Sequence, residues 1–206
     1  GNKQRIVTNK SKPRLKKVSE KLIVEIKILL DSINKDYQNL TKIIVINGPG
    51  SFTGIRSAIT FAKTLKLYLK IKVIGISRFE VLNLLTNNDR KPGIKNIFIQ
   101  NNENTFFLQK FNSSGKIDPV PELVDLKKKR IMVDEEIRII SDGLKIKEYL
   151  GYKKKTKKVN LVEIIGYRIE DIYKVAQKLS EKKYIPKPLY TKNFFWCYKM
   201  INLKKL

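Results

Sequence analysis

Lys42-Ile43-Ile44-Val45-Ile46-Asn47-Gly48-Pro49-Gly50-Ser51-Phe52-Thr53-Gly54-Ile55-Arg56 is the stretch on which the fold turns. Lys42 to Asn47 is short, β-branched and almost continuously apolar, the pattern of a strand buried on both faces in a parallel or mixed sheet. Gly48 to Gly54 follows at once as a glycine-rich turn, and a helix is expected from about Ile55 to Lys70. Its core stripe is Ile55, Ala58, Ile59, Ala62, Leu65 and Leu69, recurring at helical spacing. The other flank carries Ser57, Thr60 and Thr64, small enough for a second helix to approach closely. Ile71 to Ser77 reads as the next strand and Phe79 to Leu85 as a short helix. Strand, turn, helix and strand in this order form a βαβ unit with a right-handed crossover, so the first domain is expected to be α/β.

Upstream, Gly1 to Thr8 reads as a turn entering a short strand. Leu15 to Ile33 reads as a helix whose stripe is Leu15, Val18, Leu22, Ile26, Leu29 and Ile33, with Ile23 and Leu30 flanking it on the same side. Val24 and Ile28 fall opposite, among Lys17, Glu20, Lys21 and Asp31. Two apolar surfaces on one helix suit a core and a partner; stray exposed aliphatics in an Ile-rich chain give the same pattern.

Downstream, the polar run Thr86 to Gly93 (TNNDRKPG) suggests a boundary between domains at residues 1–88 and 89–206. Ile94 to Gln100 and Thr105 to Phe111 read as paired strands turning around Asn101 to Asn104. The basic run Lys127 to Arg130 is read as the solvated end of a helix rather than a nucleic-acid patch. Ile137 to Ile140 is a strand entering Ser141-Asp142-Gly143, followed by a short helix to Leu150. A lysine-rich loop, Lys153 to Lys158, precedes a last helix at about Ile169 to Ser180. The tail aromatics Phe194 to Trp196 and Cys197 read as core packing.

The 206 residues contain 44 Lys and Arg against 19 Asp and Glu, a net charge of +25, and no histidine. The missing imidazole excludes Ser-His-Asp and Cys-His catalysis and His-based zinc sites. One cysteine cannot form an intramolecular disulfide, and no apolar run is long enough to span a bilayer, so a cytoplasmic protein is expected. The charge has two sources that stay open. Lys outnumbers Arg 36 to 8, the bias of an AT-rich genome, whereas a polyanion footprint would favour the Arg fork.

A glycine-rich turn before a helix can hold a phosphate or carboxylate, with Ser51 or Thr53 capping the helix and Arg56 in its first turn. The spacing fits neither common phosphate loop. A Walker loop ends in Gly-Lys-Ser/Thr where this chain has Gly54-Ile55-Arg56, and the dinucleotide fingerprint has two residues between its second and third glycines where this chain has three. A tight turn that packs helix on strand is the competing reading.

The segment Gly48, Pro49, Gly50, Ser51, Phe52, Thr53, Gly54, Ile55, Arg56, with the small-residue helix and the Val73-Ile74-Gly75-Ile76-Ser77 strand, resembles the TsaB (YeaZ) family. Ser19 to Leu22, Ser141-Asp142-Gly143 and Pro188-Leu189-Tyr190 resemble further family segments. The resemblance implies a two-domain actin/Hsp70/sugar-kinase-like (ASKHA) α/β fold and a noncatalytic subunit of the tRNA N6-threonylcarbamoyladenosine (t6A37) synthase. It implies a heterodimer with a TsaD-like protein, work with a TsaE-like ATPase on tRNA, self-pairing when alone, and no membrane contact. It also implies no cofactor in this subunit, with ATP and metal in its partners; a histidine-free chain cannot supply the HxxxH-type metal pair of TsaD-like proteins. Val24, Ile28, Ser57, Thr60 and Thr64 are then the expected partner interface, and the glycine turn a degenerate anion or nucleotide site.

The chain departs from the family in three places. It begins at what reads as the turn into the family's third strand, so two strands of the first sheet are expected to be absent. The family's helix-start His is Val18 here, and its Asp-Ala-Arg segment is Gln100-Asn101-Asn102. The rival readings are an ATP-dependent kinase of the same superfamily and a free-standing RNA-binding module.

Overall fold

The computed structural model describes residues 18–86, 94–112, 115–117, 120–125, 127, 131–133, 137–141, 146, 150–152, 160–164, 168–179 and 186–190. The chain divides into two compact units, residues 1–76 with 168–188 and residues 77–167 with 189–206. The first cut thus falls after Ile76, twelve residues before the 88/89 boundary read from the polar run, and residues 168–188 rejoin the first unit.

In the first unit, α1 (Val18–Asp31) leads through a 3-10 turn capped by Asp36 into β1 (Lys42–Ile46). α2 (Phe52–Leu69) then returns the chain to β2 (Lys72–Ile76), which pairs with β1 in parallel, Lys42 opposite Lys72 and Ile46 opposite Ile76. This is the expected βαβ unit. α2 starts three residues earlier than expected because Ser51 caps it: the Ser51 hydroxyl accepts the Gly54 N–H at 3.3 Å. That places Phe52, Thr53 and Gly54 in the first turn, so Thr53 is not the cap. The core beneath is Val45, Ile59, Ala62 and Val73, with Ile43, Ile55 and Ala58 packed around it.

β1 is not buried on both faces. Only Val45 is buried, and Ile43, Ile44 and Ile46 are half-buried, because among the described residues β1 pairs with β2 alone. β2 is buried from Val73 to Ile76. α4 (Ile169–Gln177) belongs to this unit, and so does Pro186, whose backbone lies against Gly75: a Cβ on Gly75 would come within 2.5 Å of the Pro186 Cα.

The second unit opens with α3 (Arg78–Leu85), held by a reciprocal cap in which Ser77 accepts the Glu80 N–H and Glu80 accepts the Ser77 N–H. β3 (Ile94–Gln100) and β4 (Thr105–Asn112) form the expected antiparallel pair. A sheet builds around them with β5 (Gly115–Lys116), β6 (Glu122–Asp125), β8 (Ile137–Ser141) and β10 (Asn160–Glu163), in the order β10-β8-β3-β4-β5 with β6 also on β4. β7 (Ile131–Val133) and β9 (Leu150–Tyr152) pair in parallel as a separate two-stranded sheet. Alternation along β3 sends Ile97 and Ile99 into a cluster with Phe79, Leu82, Phe111 and Ile140, and Phe98 into another with Phe106, Ile139 and Ile146.

Two expected helix ends differ at the described residues, while Ile146, inside the second expected helix, lies in a 3-10 turn. Lys127 sits in a turn just after β6, its N–H bonded to the Asp125 carboxylate at 3.0 Å, rather than at a helix end. Leu150, expected to close a helix, begins β9. The readings of residues 1–8, 15–17, 142–143, 153–158 and 194–197 lie outside the described residues. Among those described, no helix is long and apolar enough to cross a membrane.

Candidate functional site

The glycine turn joins the C-terminal end of β1 to the start of α2. Asn47 continues the sheet by donating its N–H to the Ile76 carbonyl at 2.9 Å. Gly48 takes φ +119°, a region in which a side chain is strained, and its bond to Pro49 is cis; both residues are buried. Ser51 then closes the turn twice, its hydroxyl on the Gly54 N–H and its carbonyl on the Ile55 N–H at 2.9 Å. These two donors are therefore turned inward. Of the three motif glycines, only Gly48 has a conformation that requires glycine; a Cβ on Gly50 would make an ordinary 3.7 Å contact with Ile55.

Arg56 does not extend beyond the turn. Its guanidinium lies over the Phe52 ring at 3.7 Å from the centroid, a cation–π contact across one helical turn. Gly48 to Arg56 thus form one compact device: a positive-φ entry, a serine cap and an Arg-on-Phe clasp. Its chemistry is that of a structural turn with a helix N-terminus behind it. The Asn47 side-chain oxygen is buried without a hydrogen-bond partner among the described residues.

The expected partner face is borne by α1 and α2, which pack on each other. Val24 (57% exposed) and Ile28 (47%) stand on the solvent side of α1, one turn apart. Thr60 and Thr64 are exposed on α2 and Ser57 is half-buried. The Thr64 hydroxyl donates to the Thr60 carbonyl at 3.1 Å, so it is occupied inside the helix. Beside Val24 and Ile28, Lys27 pairs with Asp31 at 2.6 Å, and that hydrogen bond holds the ammonium above its ordinary range.

Ile23, read as flanking the buried stripe, is 56% exposed, whereas Leu30 on the same flank is buried. Tyr37 accounts for part of this: its ring meets Phe61 edge-on and its hydroxyl donates to the Ile23 carbonyl, so α1 is held over α2 through the backbone at Ile23. Leu67 and Tyr68, 81% and 75% exposed at the end of α2, were not singled out by the sequence. Their signal was there, since neither belongs to the Ile55-to-Leu69 stripe.

A family model described as TsaD, tRNA N6-adenosine threonylcarbamoyltransferase, matches residues 12–97. Two curated relatives are tRNA threonylcarbamoyladenosine biosynthesis proteins TsaB. That of Bacillus subtilis (strain 168) is 44% identical over 54 residues, 26% of this chain and 24% of the relative. That of Buchnera aphidicola subsp. Schizaphis graminum (strain Sg) is 34% identical over 80 residues, 39% of this chain and 38% of the relative. The chain therefore matches about a quarter and about two-fifths of the length of these relatives. Among solved structures, a Pseudomonas aeruginosa protein described as similar to peptidase YEAZ superposes with TM-score 0.54 at 16% identity, over 83% of both chains. YeaZ from Pseudomonas aeruginosa superposes with TM-score 0.55 at 15% identity, over 84% of this chain and 83% of that one. At such identities the superpositions establish the fold alone: mixed α/β of the YeaZ type.

Proposed function

We propose that this chain, a TsaB (YeaZ) family protein, is a noncatalytic subunit of the tRNA N6-threonylcarbamoyladenosine synthase and supports a TsaD-like transferase acting on tRNA adenosine. One observation carries the reading: the sequence likeness to two TsaB proteins occurs in a chain without histidine. The family model is described as TsaD, and the histidine count chooses between the two. A subunit without imidazole has no ligand for an HxxxH-type metal pair and no histidine base, which supports a reading in which the partners supply the metal, the ATP and the bond-making and this subunit carries no cofactor of its own. The same lack weighs against carrying the word peptidase from one structural relative to this chain.

Docking is assigned to α1 and α2. A solitary α/β domain would favour charge at positions 24 and 28 of α1, yet Val24 and Ile28 are exposed there, and the Thr60 and Thr64 positions on α2 allow close helix approach. An interface of standard size buries about 1,600 Å² in total. Mixing the chain with its TsaD-like partner and resolving the mixture by gel filtration tests the reading. A co-eluting heterodimer is expected, and two separate peaks at micromolar concentration would reject it.

A further inference from the structure

From Tyr37 to Phe79 the chain has no Asp and no Glu, and α2 lies wholly inside that segment. The helix therefore presents cations and no anion along its 18 residues. Its buried stripe is Ile59, Ala62 and Leu65; Thr60, Thr64 and Leu67, spaced by four and three, fall on the opposite face. Leu67 ends that face 81% exposed, the largest exposure of any large apolar side chain among the described residues.

Lys63 lies one turn before Leu67 on the helix surface, and Lys70, the C-cap, lies one turn after it. Both are exposed, and neither has an ion pair among the described residues. The helix dipole favours a cation at Lys70, but its effect falls off within the last turn, which begins after Lys63. An exposed leucine with a cation on either side has the layout of a protein contact, an apolar centre inside a charged rim. It suits a phosphate backbone poorly, because the leucine offers nothing to a phosphate.

We infer that this end of α2 docks on an acidic-rimmed apolar patch of the TsaD-like partner: Leu67 enters the patch, and Lys63 and Lys70 meet carboxylates beside it. The partner's identity rests on the proposed function; the chemistry of the surface that must meet this helix is what the charge pattern adds. A second copy of the chain is the occupant it excludes. Pairing about a two-fold axis that sets α2 on α2 opposes lysine to lysine, with no carboxylate on either helix. Setting α2 on α1 instead helps little, since among the described side chains of α1 the exposed acid is Asp31, which Lys27 already holds at 2.6 Å.

The test is the association of the full chain with the TsaD-like protein, followed by surface plasmon resonance at low and high salt, with sedimentation of the chain alone. Leu67→Ala should raise Kd about tenfold, and the thermal midpoint should stay within a few degrees because the side chain already faces solvent. Lys63→Glu with Lys70→Glu should slow association about tenfold at about 50 mM salt and far less at about 500 mM, where the charges are screened. Lys110→Glu with Lys127→Glu, exposed lysines of the second unit, is the charge-matched control and should slow it much less. Alone, the unsubstituted chain should form no dimer that depends on Leu67. A heterodimer that Leu67→Ala leaves unchanged, equal slowing by the control pair, or a self-dimer that Leu67→Ala dissolves overturns the inference and leaves the docking reading in place. If the unsubstituted chain and the TsaD-like protein do not associate at all, the docking reading falls and this one with it.

Discussion

Gly48 separates two meanings that a glycine-rich motif can have. Its φ of +119° is a conformation that costs a side-chain-bearing residue about 1–2 kcal/mol or more, so Gly48→Ala should lower the urea midpoint accordingly. Gly50→Ala and Gly54→Ala should be close to neutral, because a Cβ meets nothing nearer than 3.7 Å at the first and 3.4 Å at the second. Gly54 also lies inside α2, where alanine is the better helix former by about 1 kcal/mol. Equal destabilisation by all three would contradict this account of the turn. Ser51→Ala removes the cap on Gly54 and should cost about 1 kcal/mol. The same cap bears on ligand binding. With the Gly54 and Ile55 donors satisfied by Ser51, isothermal calorimetry with ATP should show nothing tighter than about 100 μM, roughly 5.5 kcal/mol of binding free energy.

At the scale of elements, the proposed docking helix gives a prediction that stability cannot mimic. Val24 and Ile28 already face solvent, so Val24→Asp with Ile28→Asp should leave the thermal midpoint within a few degrees while abolishing co-elution with the TsaD-like partner. An unchanged complex would remove α1 from the interface. This pair was legible in the sequence because a 3.6-residue period separates faces cleanly, and so were α2, β2, α3 and the β3–β4 hairpin. Ile23 was not, since a residue at the edge of a stripe is placed by its neighbours: Tyr37 reaches the Ile23 backbone and leaves the side chain outside. The short strands of the second unit were missed for a related reason. β7, β9 and β10 have three or four residues each, too few for a period, and they are defined by partners far along the chain, as β10 is by its parallel pairing with β8. Lys127 looked helical only through its basic neighbours, whereas the Asp125 carboxylate fixes a turn there.

On the scale of the whole molecule, the first unit is discontinuous, closed by residues 168–188, which return between two segments of the second unit, 77–167 and 189–206. No local pattern announces such a return, because Gly75 reads as an ordinary strand glycine until Pro186 is seen against it. The approach is backbone to backbone: a Cβ on Gly75 would lie 2.5 Å from the Pro186 Cα and 3.1 Å from its nitrogen. Gly75→Ala should therefore push the returning segment off β2 and destabilise the unit by about 1–3 kcal/mol, as overpacking does. A general loss of strand stability would look the same in a single variant, so the cycle with Pro186→Gly decides it. Glycine at 186 removes the ring and frees the backbone to move aside, at its own cost in chain entropy. If the contact carries the effect, Gly75→Ala costs measurably less in the Pro186→Gly background, with a coupling of about 0.5 kcal/mol or more by urea unfolding. Strict additivity would mean that alanine at 75 is penalised by the strand itself and that the C-terminal return is held to the first unit elsewhere, through α4 and its buried Val175 and Ala176.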